Sequence, residues 1–175
     1  MTAGIRQLRP SDYLPVIAVI DHWWNSRHMA DMLPRLFFEH FTDTSFAAES
    51  DGELTGFLVG FVSQVHLAEA YIHFVGVHPG HRGRGLGRQL YQHFFAAAQA
   101  RDRDLVKAVT APVNQASVRF HQQMGFDIEP GDRAVDGIPV TSGYDGDGND
   151  RVRFVKHLDR PFPDPVSRSG TAPGQ

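Results

Sequence analysis

Apolar and polar residues change their spacing along this chain in a way that marks alternating strands and helices. Ile5–Leu8 is a short apolar strand, and Arg9-Pro10-Ser11-Asp12 interrupts it with residues suited to a loop and a helix N-cap. From Ser11 to Trp24 the apolar positions Leu14, Ile17, Ala18 and Trp24 repeat at helical intervals and predict a first helix. A second is expected over Met29–Phe41, with Met32, Leu33, Leu36, Phe37 and His40 on one side and Pro34 separating or bending its first turn. Ser45–Glu49 then reads as a strand, Asp51-Gly52 as a hairpin turn, and Leu54–Val65 as a returning strand. Ala70–Val77 follows as a fourth strand. A glycine-rich turn leads into a helix over Leu86–Arg101, with Leu86, Leu90, Phe94 and Ala97 at helical spacing. Leu105–Thr110 is a strand, Asn114–Met124 a helix, and Gly125–Glu129 another strand. Pro130–Asp150 reads as one long loop before a final strand at Arg151–Leu158. Strands two to four can form an antiparallel meander, whereas the later β-α-β-α-β run needs crossovers, so the fold class is a mixed α+β sheet flanked by helices. Residues 1–158 form one domain. Asp159–Gln175, with Pro161, Pro163, Pro165 and Pro173, reads as a mobile tail.

Composition narrows the function without naming it. With 175 residues, 41% hydrophobic and 21% charged, the chain is long enough for a single core and is not compositionally disordered. A net charge of −3 argues against a protein that coats nucleic acid, although Arg82, Arg84 and Arg88 make a local basic patch. No apolar run approaches the roughly 18 residues of a membrane span, and Met1–Arg6 lacks the apolar core of a secretory signal. The absence of cysteine removes disulfides, thiolate metal sites and a cysteine nucleophile together. The expectation is a cytoplasmic protein with no membrane or nucleic-acid partner.

The most informative stretch is Val77-His78-Pro79-Gly80-His81-Arg82-Gly83-Arg84-Gly85-Leu86-Gly87-Arg88, between the fourth strand and the next helix. Backbone N–H groups at a helix start lack intrahelical partners and sit at the positive end of the dipole. Glycines let that backbone approach an anion, and arginines add forked donors suited to phosphate oxygens, so a diphosphate is the expected guest. Spacing excludes two kinds. Leu86-Gly87 stands where a nucleotide P-loop needs Lys-Ser/Thr, and Gly83-x-Gly85 is followed by Arg88 where a dinucleotide fingerprint needs glycine. The competing reading is an ordinary strand-helix connection with solvated arginines. An RNA-binding basic segment would require interleaved aromatic residues, which the turn lacks.

The run Arg82-x-x-Gly85-x-Gly87 after Val77-His78-Pro79 resembles the acyl-CoA signature of the GNAT acetyltransferase superfamily. Asn114-x-x-Ser117-x-x-Phe120-His121-x-x-Met124-Gly125-Phe126 resembles that family's second motif, and the element order agrees from Ile5 to Leu158. The resemblance implies a GNAT-like acyl-CoA N-acyltransferase fold whose mostly antiparallel sheet splays between its fourth and fifth strands. It implies acetyl-CoA as co-substrate, no metal, and acetyl transfer to a small-molecule or peptide amine by direct attack. It further implies that the Val75 amide faces the thioester carbonyl and that Val77 pairs with the pantetheine arm. Arg82, Gly83, Arg84, Gly85, Leu86, Gly87 and Arg88 would hold the pyrophosphate, and Asn114, with Ser117 and Phe120, would lie along the pantetheine.

An amine must arrive unprotonated, so a base is needed near neutral pH. His73 is the candidate: it lies two residues from Val75, which in a regular strand places both side chains on one face. A buried histidine bonded to a carbonyl is the competing reading, and Glu69 and His66 are fallback bases acting through water. Where the family commonly has a tyrosine proposed to protonate the leaving thiolate, this chain has His121. An imidazolium acid and a solvated helix histidine are both open there. Trp23, Trp24, Phe37 and Phe38, beside Asp21, Asp31 and Glu39, are candidates for an acceptor wall, Phe37 fitting a core position better. Asp145-x-Asp147-x-Asn149 begins like a calcium loop but fails at its sixth and twelfth positions, Asp150 and Lys156. A second function of the same fold, an acyl-CoA sensor without catalysis, stays open, as do acceptor, acyl length and a homodimeric state.

Overall fold

The computed structural model describes residues 4–25 and 27–159; the proline-rich segment after Asp159 lies outside the described residues. A seven-stranded sheet runs in the order β1 (Gly4–Gln7), β2 (Phe46–Ser50), β3 (Glu53–Val62), β4 (Glu69–Val77), β5 (Leu105–Thr110), β9 (Val152–His157) and β6 (Asp127–Ile128). Every pairing is antiparallel except β4 with β5. The helices are α1 (Tyr13–Trp23), α2 (Leu36–His40), α3 (Leu86–Gln99) and α4 (Gln115–Gln123).

Two cores cover the sheet. Leu90, Tyr91 and Phe94 of α3 pack with Leu58, Ile72, Val106 and Phe154 on one face; Val16, Ile20 and Trp23 of α1 pack with Phe38, Phe57, Val59 and Phe74 on the other. The buried stripe of α1 is therefore Val16, Ile20 and Trp23, while Leu14, expected inside, is 66% exposed. The helical period was right and its phase wrong, because an apolar residue chosen as origin need not face the core. The expected Met29–Phe41 helix is likewise cut. A 3₁₀ turn at Ala30–Met32 precedes Pro34, and α2 begins only at Leu36. The buried residues of this segment are Leu33 and Phe38, whereas Met32 and Leu36 are exposed.

The expected loop over Pro130–Asp150 contains a separate hairpin, β7 (Arg133–Val135) with β8 (Ile138–Val140). Asp136-Gly137 is its turn, both at positive φ, and is the same Asp-Gly signal that marks the hairpin at Asp51-Gly52.

The feature that shapes the centre of the molecule is a bulge in β4. Val75 pairs with Leu58 and Phe74 with Val59, but Gly60 pairs with Ile72, leaving His73 as an extra residue. Burial still alternates along β4, yet the face changes at the bulge: Ile72 joins the α3 core and Phe74 the α1 core. His73 and Val75, expected on one face, are consequently on opposite faces. Val75 packs with the α3 core, and His73 stacks on Phe37 of α2 at 4.3 Å.

Candidate active site

β4 and β5 pair only where Glu69–Tyr71 meets Leu105–Lys107, and beyond that point the strands separate. The gap opens into a cavity of about 320 Å³ bounded by Ile72–Val75, Val109–Ala111 and the start of α4. Its backbone polarity follows from strand alternation. The His78 N–H donates to the Thr55 carbonyl of β3, so Gly76 and Phe74 share that direction and the amides of Val75 and Val77 point the other way, into the gap. An inward-facing amide with no ladder partner beside it is a ready donor to a carbonyl oxygen.

At the far end of β4 the chain turns through Pro79–His81 into α3. His78 Nδ1 accepts from the Gly80 amide, and Gly83 and Gly85 both adopt left-handed backbone, at φ 74° and 82°. The first α-helical bond of α3 joins Gln89 N–H to the Gly85 carbonyl, so the amides of Leu86, Gly87 and Arg88 precede it and point out of the helix start. A Cβ at Gly85 would meet nothing within 4 Å, so the turn is open at that residue. At Gly87 a Cβ would lie at contact distance, 3.4 Å, from the Phe120 ring of α4. These residues fit a pyrophosphate.

Arg82 departs from its expected part. Its Nε donates to the Val77 carbonyl at 3.1 Å and its Nη2 to the Trp23 carbonyl at 2.6 Å. The guanidinium thus ties the turn to the C-terminal end of α1 and is not aimed at an anion, leaving Arg84 and Arg88, both exposed, as the charged side chains beside the turn.

On α4, Asn114 caps the helix, its side chain accepting from the Ser117 amide. Phe120 packs edge-on against Tyr91, at 5.1 Å. His121 is neither solvated nor a ready acid. It is 4% exposed and stacks on Phe154 at 4.2 Å. Its Nδ1 donates to the Ser117 carbonyl, which can only accept, so Nε2 accepts from the Tyr91 hydroxyl. Burial pushes its pKa down to about 4, the bond to Ser117 opposing only in part. The expected imidazolium acid is therefore corrected: His121 is neutral at neutral pH.

Because an unfolded histidine titrates near 6.5, the unfolded chain takes up this proton before the folded one, and stability falls as pH drops from about 6.5 towards 4. The shift corresponds to about 3 kcal/mol. His121→Phe, which cannot titrate, should lose ground to the wild type at pH 7 and recover about 3 kcal/mol of that difference by pH 4 in urea unfolding. A difference independent of pH would contradict the burial argument.

His73 also sits in a protein bond. Its Nε2 lies 2.7 Å from the Met32 carbonyl, so Nε2 carries the hydrogen and Nδ1 is the acceptor nitrogen. Burial lowers its pKa, opposed by the Met32 bond and by the charge of Asp145. The bond to a carbonyl agrees with the competing reading, and the ring also lines the cavity.

The acceptor wall expected from the first two helices is only partly present. Trp24 lies in the cavity against Phe74, where Gly76 makes room: a Cβ there would be 2.8 Å from the indole. Trp23 and Phe38 are core residues. Asp21 is occupied in holding the next loop, accepting from the amides of Met29 and Ala30, while Asp31 and Glu39 are exposed. His66 and Glu69 do not reach the gap; they line a second cavity of about 380 Å³ at the paired end of β4 and β5. Arg27, Tyr71, Asp145 and Arg151, which periodicity did not single out, do line the first. Asp145 stood only as part of a failed calcium pattern, and among the described residues no three His, Cys, Asp or Glu side chains gather in a metal-binding group.

Residues 5–126 match the acetyltransferase (GNAT) family. The chain is similar to L-2,4-diaminobutyric acid acetyltransferase of Vibrio cholerae, 33% identical over 94 residues that cover 54% of this chain and 53% of that protein. It is also similar to an L-amino acid N-acyltransferase of Escherichia coli, 28% identical over 138 residues covering 70% and 78%. The chain spans about half the length of the diaminobutyric acid relatives it matches. In structure it resembles diaminobutyrate acetyltransferase of Paenibacillus lautus, in complex with its substrate and coenzyme A, with a TM-score of 0.68 at 17% identity over 93% of this chain and all of that one. The splayed mixed sheet, the two motifs and the family match over most of the chain's length agree, and the chain belongs to the GNAT acetyltransferase family.

Proposed function

We propose that this protein transfers an acetyl group from acetyl-CoA to a small primary amine by direct attack within a ternary complex. One observation carries the reading: β4, whose Val75 amide points into the gap, runs through the glycine turn into the helix start whose first amides are left without helical partners. The two ends suit the pyrophosphate and the thioester of one extended molecule. Acetyl-CoA supplies the activated acyl carbon. The amides of Leu86, Gly87 and Arg88 would take the phosphates, with Gly83 and Gly85 shaping the turn and Arg84 and Arg88 adding charge. Asn114, Ser117 and Phe120 would flank the pantetheine. The Val75 amide would donate to the carbonyl oxygen as negative charge develops there, and Nδ1 of His73 would accept the amine's proton. The Val77 amide, which points away from β3, would pair with the pantetheine arm.

Relatives named for acetylating diaminobutyric acid and for acylating L-amino acids support an acceptor of amino-acid size, as does the cavity volume of about 320 Å³. The test is thiol release from acetyl-CoA over a panel of amino acids and amines, with acetylated product measured in parallel. Thiol and product should appear in equal amounts with at least one of them. Acetyl-CoA binding with no thiol release from any amine would instead make the domain a sensor.

A further inference from the structure

Asp145 and Arg151 stand together on the acceptor side of the cavity, joined by a 2.6 Å bond from Arg151 Nε to Asp145 Oδ2. A solvent-reached ion pair contributes little to stability, so stability does not account for it. The loop that carries it is held at its base: Thr141 bridges Arg151, the Ser142 amide and hydroxyl donate to Asp132, and the Gly143 amide donates to Asp150. Positive φ at Gly143, Gly146 and Gly148 bends the chain so that Asp145 turns back to Arg151. Asp145 shares the lining of this cavity with Tyr71 and His73 of β4.

A carboxylate has acceptor capacity beyond one bond, and a guanidinium has five donors, of which Arg151 places Nε on Asp145 and Nη1 on the Asp150 carbonyl. The pair therefore presents one anionic and one cationic edge side by side. An α-amino acid presents the opposite pair, an ammonium and a carboxylate one carbon apart. Trp24, Met29 and Met32 give the same cavity an apolar wall, and exposed Arg27 adds a second cation to its lining.

We infer that Asp145 and Arg151 bind the ammonium and carboxylate of a free α-amino acid with an uncharged side chain, and that its α-nitrogen is the one acetylated. Asp145 holds the α-ammonium next to His73, which takes one proton. The freed lone pair attacks the acyl carbon as the carbon–sulfur bond breaks; the bonding pair leaves on sulfur, and the nitrogen's second proton passes to that thiolate. Arg151, helped by Arg27, fixes the carboxylate, and the side chain lies on the Trp24–Met29–Met32 wall. The inference rests on the proposed acetyl transfer and adds the acceptor's class and the residues that read it.

The experiment compares methionine and leucine with their decarboxylated amines, and with ornithine, in steady-state thiol release and product NMR. The wild type should favour the amino acid over its decarboxylated amine by about 10- to 100-fold in kcat/KM, the range for one charge-assisted contact. Arg151→Met should collapse that ratio towards one while retaining acetyl-CoA affinity, and Arg151→Lys should restore part of it. Asp145→Asn should raise the KM for amino acids. Equal wild-type rates with and without the carboxylate, or ornithine acetylated on its side-chain nitrogen as the best substrate, would overturn the assignment while leaving acetyl transfer intact. Thiol release from no amine would overturn both.

Discussion

Gly85→Val should all but abolish productive acetyl-CoA binding, raising its apparent KM on the order of 100-fold, because one or two charge-assisted contacts at about 1.5–3 kcal/mol each are lost. Two effects combine. At φ 82° a residue with a Cβ is strained by about 1–2 kcal/mol. The added side chain also occupies space that the protein leaves open at the turn into α3, where the proposed phosphates would lie. Strain and occupancy can be separated with a matched control. Gly52, in the β2–β3 hairpin, has φ 81° and equally open space around its would-be Cβ. Gly52→Ala and Gly85→Ala should therefore lower Tm by similar amounts, and only the second should weaken acetyl-CoA binding in a calorimetric titration. Similar losses of affinity in both would mean that a general loss of stability, and not a change at the turn before α3, weakens binding.

Removing the base should have the next largest effect. His73→Ala is expected to lower kcat/KM for the amine by about 100-fold or more at neutral pH, within the usual range for a positioned base. The deficit should shrink as pH rises, because the acceptor then loses its proton to solvent before binding. In the wild type, burial keeps the imidazole unprotonated below its ordinary value of 6.5, so the histidine should impose no acid limb above that pH. Any rise in rate above neutrality belongs to the acceptor amine. A His73→Ala profile that parallels the wild type at every pH would leave His73 with only its bond to the Met32 carbonyl and its stacking on Phe37.

How far the sequence disclosed this arrangement depended on whether the signal was local. The turn at Gly83–Gly87 was readable because its chemistry is contiguous: strand end, left-handed glycines and helix start follow one another directly. The bulge at His73 was not. It removes one residue from the β3 register without disturbing the alternation of buried and half-buried positions, so the pattern along β4 alone puts His73 and Val75 on the wrong common face. His121 misled in another way. A histidine in place of tyrosine suggests acid chemistry, but burial against the Phe154 ring of β9 and the Tyr91 ring of α3 holds it neutral despite its bond to the Ser117 carbonyl. Asp145 and Arg151 were illegible for a topological reason. β9 enters the sheet between β5 and β6, carrying the loop before it to the gap, and no spacing within that loop reveals the insertion.

The account stands on the amides at the start of α3 receiving a pyrophosphate, and backbone amide NMR tests this most directly. On titration with acetyl-CoA, the Leu86, Gly87 and Arg88 amide protons should move downfield as they take up charged acceptors. Acetyl-pantetheine, which lacks the pyrophosphate, should shift the Val75 amide and leave those three in place. Shifts of equal size at α3 with both ligands, or none there with acetyl-CoA, would contradict it.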